Sequence, residues 1–335
     1  MWMTLLSASS KIGYFMLPQA LAIFFLLSSA IVAVPQTAPL APSWAYPIPA
    51  PDHRPAAESD TLRRVPDSTV TYKLNQLDDG FFAPDWHPND HLAMPPVVAH
   101  GRKPEVMACG YCHRADGPGG PENASIYGLP FDYIVQQLND YKTGKRSTAV
   151  PGRAPQANMI LLSKAISDED AVEAARYFSS IRPRQNIRVV EAGRVPKTYV
   201  ANWILAFAPG NATEPIGERI VETPVELEQF ESRDSRSKFV AYVPPGSLSR
   251  GAAIVNGKLP AKAPACASCH GKGLTGDGAV PSIAGRSPTY VFRQLYEFQT
   301  GARAGKNALL MKPAVVNLDT QDMIAISAYL ATLKP

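Results

Sequence analysis

At 335 residues the chain is too long for one compact domain of ordinary size and suits two, each able to bury its own core. Hydrophobic residues make up 45% and charged ones 19%, which excludes a disordered polar chain; the compositional outlier is proline, at 32 residues. A formal net charge of +4 with no dense Lys/Arg block among aromatics argues against a nucleic-acid partner, while leaving room for an acidic protein face.

Ile12 to Val34 is almost wholly apolar, broken by Pro18 and Gln19, with Lys11 the only charge before it. This predicts export. Ala20 to Val34 matches the hydrophobic region of a cleaved signal peptide, with small residues for cleavage at Ser28, Ala30 and Ala33. Counted from Ile12, the stretch reaches roughly the 20 residues that span a bilayer. Residues 1–34 are therefore a signal peptide or a membrane anchor, and both readings stay open. Residues 35–66 form a Pro-rich tether: seven prolines between Pro35 and Pro55 predict an extended, semi-rigid spacer. Residues 67–184 are expected to be a first domain with an N-terminal extension, Thr69 to Arg102, that packs on it and carries Asp85-Trp86-His87 and His91.

The cysteines number four, Cys109, Cys112, Cys266 and Cys269, in two C-x-x-C pairs, each followed at once by a histidine, His113 or His270. An offset of 157 superposes the two motifs, and the match continues. Tyr133, Gln137-Leu138, Tyr141, Thr143-Gly144 and Arg146 fall on Tyr290, Gln294-Leu295, Phe298, Thr300-Gly301 and Arg303. Ile134, Leu138 and Tyr141, like Val291, Leu295 and Phe298, have helical spacing, so each copy is predicted to hold an amphipathic helix ending near a glycine, its aromatics in the core. Further on the offset becomes 152, pairing Met159 with Met311. Ser167 and Asp319 are then equivalent N-caps, each with Asp three residues on, opening a last helix with the apolar faces Val172, Tyr177, Phe178, Ile181 and Ile324, Tyr329, Leu330, Leu333. Between the copies, residues 185–245 have no repeat partner. Val189-Val190, Tyr199 to Phe207 and Phe239 to Val243 predict a small β element there. Residues 246–335 form the second domain.

Cysteines at i and i+3 share one side of a helical turn, where two sulfurs can form thioethers to one haem, and the next residue then faces the iron. C-x-x-C-H thus reads as attachment of haem c, two per chain, with His113 and His270 as proximal iron ligands. A redox dithiol or half a zinc site is the bland alternative; the recurrence of histidine within a longer repeat argues against it. Met159 and Met311, paired by the repeat and expected on loops between the middle and last helices, are the candidate second axial ligands, and a thioether there raises the reduction potential. Met94, Met107 and Met323 have no methionine partner and read as core.

Together these residues resemble class I cytochromes c, and the tandem arrangement is similar to the dihaem cytochrome c4 group. The resemblance covers Ala108 to Ile181 and Ala265 to Leu333. It implies a mainly α fold of two tandem cytochrome c domains, and an electron carrier rather than an enzyme. It also implies a proline carbonyl bonded to the proximal imidazole; Pro281 fits in the second copy, whereas the first has Ala124. The function expected is periplasmic electron transfer between a redox protein donor and an acceptor such as a terminal oxidase or reductase. A dihaem peroxidase is the rival from another class, with His53, His87, His91 or His100 as acid-base groups. A dedicated subunit of a membrane dehydrogenase or oxidase complex is a third reading.

Overall fold

The computed structural model describes residues 41–50 and 60–335. Residues 1–34, expected to be a signal peptide or membrane anchor, and His53 lie outside them. Among the described residues no helix is long and apolar enough to cross a membrane.

The molecule is mostly helical with small sheets. A short hairpin, β1 (Leu62–Arg63) and β2 (Tyr72–Lys73), leads into α1 (Leu74–Leu77) and α2 (Pro96–Ala99). The first motif is α3 (Cys109–His113), followed by α4 (Phe131–Lys142), α5 (Ala154–Ala165) and α6 (Asp168–Ser180). In the second copy α8 (Ser247–Val255) precedes the motif turn α9 (Ala267–His270), then come α10 (Pro288–Thr300), α11 (Lys312–Val315) and α12 (Thr320–Thr332). The expected caps form: Ser167 accepts from the Asp170 amide, and Asp319 and Asp322 make a reciprocal capping box. Gly301 ends α10 in the left-handed region at φ 81°, which a residue with a Cβ adopts at a cost.

The β element lies where the β-branched runs put it. β3 (Ile187–Glu191) pairs in parallel with β9 (Phe239–Val243), which pairs antiparallel with β8 (Val221–Pro224). As the central strand, β9 is an apolar run buried along most of its length. Two hairpins fill the crossover: β4 (Arg194–Pro196) with β7 (Thr213–Pro215), and β5 (Thr198–Ala201) with β6 (Ile204–Phe207). The helix α7 (Leu227–Glu231) joins β8 to β9.

Two large cores result. One gathers Val97, Ile134, Leu162, Tyr177 and Phe178 around the first motif. The other joins Phe239 and Val243 of the sheet to Phe292, Met323, Ile324 and Leu330 of the second copy, so the unrepeated segment is part of the second core rather than a free linker.

Two expectations change. The extended tether expected over 35–66 does not hold for its described residues. Ala45 and Tyr46 are buried, Trp44 packs on Phe292 at 4.5 Å between ring centroids, and Val65 joins a small core with Leu77 and Trp86. Proline spacing signalled an extended backbone, but Trp44-Ala45-Tyr46 supplies apolar surface that gains by burial. The extension from Thr69 to Arg102 does touch the first copy, through α2 against α3 and α6. It is equally tied to the unrepeated segment: Trp86 Nε1 donates to Ser232 O at 2.7 Å, and buried His87 Nε2 donates to Asp234 Oδ1 at 3.0 Å.

The copies meet through matched residues. The Ser147 amide donates to Ala302 O and the Ala304 amide to Lys145 O, both at 2.7 Å. Arg146 donates to Gln137 Oε1 (2.9 Å), Gln294 Oε1 (2.9 Å) and Tyr290 Oη (3.2 Å). Arg303 donates to Gln294 Oε1 (3.0 Å), Gln137 Oε1 (2.7 Å) and Tyr133 Oη (3.2 Å). Each guanidinium also lies over a ring of its own copy, Tyr141 at 4.5 Å and Phe298 at 4.1 Å. Exchanging each residue for its partner 157 positions away reproduces the same contacts, which is the pattern of an isologous, pseudo-twofold interface.

Candidate haem sites

Each motif is a single helical turn that places its two sulfurs together and aims the histidine inward. His113 Nδ1 donates to Ala124 O at 2.8 Å, and His270 Nδ1 donates to Pro281 O at 2.8 Å. The proton is thereby fixed on Nδ1 and the Nε2 lone pair is left for a metal. Burial holds both imidazoles below the ordinary histidine range, which favours the neutral, ligating form. The proline expected at this carbonyl is not required, because a main-chain oxygen accepts equally from alanine.

A tight loop brings that carbonyl back eleven residues after the histidine. Its first bond runs from the Gly119 amide to His113 O (3.1 Å), and in the second copy from the Gly276 amide to His270 O (2.9 Å). Gly119 has φ +63°, and a Cβ there would meet Ala124 O at 2.4 Å.

The first motif opens on a cleft. Cys109, Cys112, His113 and Met159 all line it, with Leu129, Ile134, Leu138 and Phe178 as apolar walls. Met159 sits on α5, not on a loop as expected; a helix holds its side chain more firmly than a loop would. Met311 ends a 3₁₀ turn, Lys306–Met311, and packs half-buried with Cys266 against the second core. Met323 is core as expected, and Met94 packs on the first core. Met107 packs there too but also lines the cleft.

The residues fit haem c. Burial pushes the Cys109 thiol up to about 12 and Cys266 up to about 11, which holds both as neutral thiols. Among the residues lining the cleft, Arg146 Nε and Glu297 Oε1 are buried polar atoms with no hydrogen-bond partner, set among apolar side chains and the amides of Gln137, Gln156 and Gln294. A large apolar ring bearing carboxylates would suit such a cleft, and Arg146 would be available to hold an acid group there.

Sequence reasoning passed over Tyr133, Gln137 and Arg146 with their partners Tyr290, Gln294 and Arg303. Their signal was present: hydrogen-bonding side chains recurring at one offset in and just after an amphipathic helix are poor core and good interface. Tyr290, Gln294 and Glu297 reach into the first cleft from the other copy, a placement no local pattern encodes. Of the histidines considered for acid-base work, His87 and His91 are engaged with Asp234 and Asp85, and His100 is exposed. The first cleft's lining holds His113 alone among histidines.

The cytochrome c family model matches residues 250–334. Cytochrome c4 of Azotobacter vinelandii is 26% identical over 253 residues, covering 72% of this chain and 91% of that protein. A thiosulfate dehydrogenase electron acceptor of Thiomonas intermedia is 24% identical, covering 68% and 79% respectively. Cytochrome c-554(547) of Halothiobacillus neapolitanus is 38% identical over 77 residues, 21% of this chain but 85% of that protein. Together with the two attachment turns, these likenesses establish two covalently bound haems c and an electron carrier similar to cytochrome c4. The chain belongs to the cytochrome c family.

Proposed function

We propose that this protein relays electrons outside the cytoplasm, from a reduced redox protein to an acceptor such as a membrane oxidase or reductase, with each repeat acting as a class I cytochrome c domain. Haem c, when bound, supplies a one-electron iron couple. The cysteine pairs would tether it, His113 and His270 would offer Nε2 to its iron, and Met159 and Met311 would offer the thioethers that close it. Closed positions leave no ready site for peroxide, so the protein's work is docking and exchange.

The observation that carries this reading is the composite wall of the first cleft, where Tyr290, Gln294 and Glu297 of the second repeat stand beside Cys112, His113 and Met159 of the first. A wall that the second repeat helps to build couples the first site to the other half of the molecule and suits transfer between the repeats. The relative named as a thiosulfate dehydrogenase electron acceptor makes a dehydrogenase a reasonable donor class. The apolar N-terminal segment, Ile12 to Val34, supports export to the periplasm with or without retention at the membrane.

Stopped-flow mixing tests the proposal. Fast reduction by a donor cytochrome or dehydrogenase and fast reoxidation by an oxidase, slowed by salt, with negligible peroxide consumption, is expected. Steady peroxide turnover by the purified reduced protein would overturn it in favour of a peroxidase.

A further inference from the structure

Arg153 is the N-cap residue of α5, six positions before Met159, and its side chain is fully buried. Its guanidinium donates to two distant parts of the chain, Pro47 O at 3.3 Å and Trp203 O at 2.8 Å, and to Gln156 Oε1 in the first turn of α5 itself at 2.9 Å. Pro47 belongs to the packed segment 44–47, which is held at its other end by the second repeat. There Arg293 donates to Ala45 O at 3.0 Å, Trp44 packs on Phe292, and Tyr46 meets Tyr296 edge-on at 6.3 Å. Arg293 also donates to Pro121 O at 2.5 Å, in the loop that follows the first haem motif. The segment therefore runs from α10 to the start of α5 as a strap, and two buried arginines fasten it.

The second site has no such fastening. At the offset that pairs Met159 with Met311, Arg153 falls on Gly305, which precedes the turn ending in Met311 and has no side chain to anchor.

We infer that residues 44–47 and Arg153 are positioning residues for the first haem site: they fix the start of α5 and so hold Met159 against the cleft, an arrangement specific to that site. The physical reason is the cost of a buried guanidinium without partners. With the strap docked, Arg153 is satisfied only when the first turn of α5 lies where Gln156, Pro47 and Trp203 converge. Without the strap, Arg153 must seek water or other acceptors, and the helix start shifts with it.

This inference rests on Met159 as a ligand, and the experiment separates the two. Full-length, haem-loaded protein is prepared as Trp44→Ala/Tyr46→Ala, Arg153→Gln, Arg153→Lys, Met159→His and Met311→His. The ferric methionine-to-iron charge-transfer band, the two haem potentials and carbon monoxide binding to the ferrous protein are then measured. The Met159→His variant identifies the first site's share of the band and its potential. The strap variant and Arg153→Gln are expected to lose that share, to lower that potential and to admit carbon monoxide at that site, with the second site's values unchanged in Arg153→Gln; Arg153→Lys is expected to recover part of the loss. Should Arg153→Gln fail to take up haem, the strap variant leaves the sequence of α5 intact and decides alone. A band that survives Met159→His in full overturns the ligand assignment and this inference with it. A first-site share that vanishes in Met159→His but persists in the strap variant and Arg153→Gln overturns the positioning role alone.

Discussion

Around His113 the cleft is completed by Tyr290, Gln294 and Glu297 of the other repeat, and the helix bearing Met159 is pinned by Arg153 to the N-terminal strap. Around His270, by contrast, Cys269 is exposed, Gly305 stands in place of Arg153, and Met311 is flanked by Leu309, Leu310 and Val316 at 63%, 76% and 55% exposure. The turns, caps and histidine-carbonyl bonds are duplicated; the surroundings are not. The two repeats therefore look alike in sequence but differ in setting, because residues 41–50, the extension before the first motif and the β element all lack repeat partners. Shared chemistry thus comes from the repeat, while accessibility and rigidity come from segments outside it.

The largest effects break the comparison at its base. Cys109→Ala/Cys112→Ala and Cys266→Ala/Cys269→Ala are each expected to halve covalent haem, and the combined variant to abolish it, as read by haem staining after denaturing electrophoresis. Stain persisting in the combined variant would refute the attachment sites. Next, Met159→His and Met311→His should each lower the potential of one haem, because imidazole favours the ferric state more than a thioether does. A redox titration resolving both waves tells whether each change stays within its own repeat.

The interface is the place where the two halves are equivalent. Arg146→Ala or Arg303→Ala leaves buried Gln and Tyr groups short of partners and is expected to destabilise the fold by about 1–3 kcal/mol. Since both arginines share Gln137 and Gln294, the double variant should depart from additivity in denaturant unfolding; strictly additive losses would show that the two do not act as one network.

The smallest effect concerns a contact confined to the first half. His91 Nε2 donates to Asp85 Oδ1 at 3.2 Å, while Nδ1 lies 2.8 Å from Leu92 O and 3.0 Å from Tyr177 Oη on α6. Burial alone would lower its pKa, but the Asp85 hydrogen bond, the Leu92 carbonyl and the charges of Asp85 and Asp116 outweigh that and raise it above 6.5. The folded state thus binds the proton more tightly than the unfolded chain. The stabilisation is complete below about pH 6.5 and fades as pH rises through the folded value. His91→Ala is expected to cost on the order of 1 kcal/mol below that point and less above it. A loss independent of pH would assign His91 a packing role only.

The sequence alone determined the attachment turns, the middle and last helices with their caps at Ser167 and Asp319, and the strands around Val189, Tyr199 and Phe239. These depend on residues a few positions apart, and helical or strand periodicity exposes them directly. The offset that sets Met159 against Met311 comes from comparing the chain with itself. Only the tertiary structure decided that Ala124 serves as well as Pro281, that Met159 rides on a helix, and that Arg146 and Arg303 tie the repeats together. It also decided that Trp44-Ala45-Tyr46 leaves its proline-rich context to fasten α10 to α5. Each of these depends on groups more than ten residues apart, most of them far more, meeting in a buried place. There the demand that an arginine or a carbonyl find a partner outweighs any local preference, and no local pattern records which partner it finds.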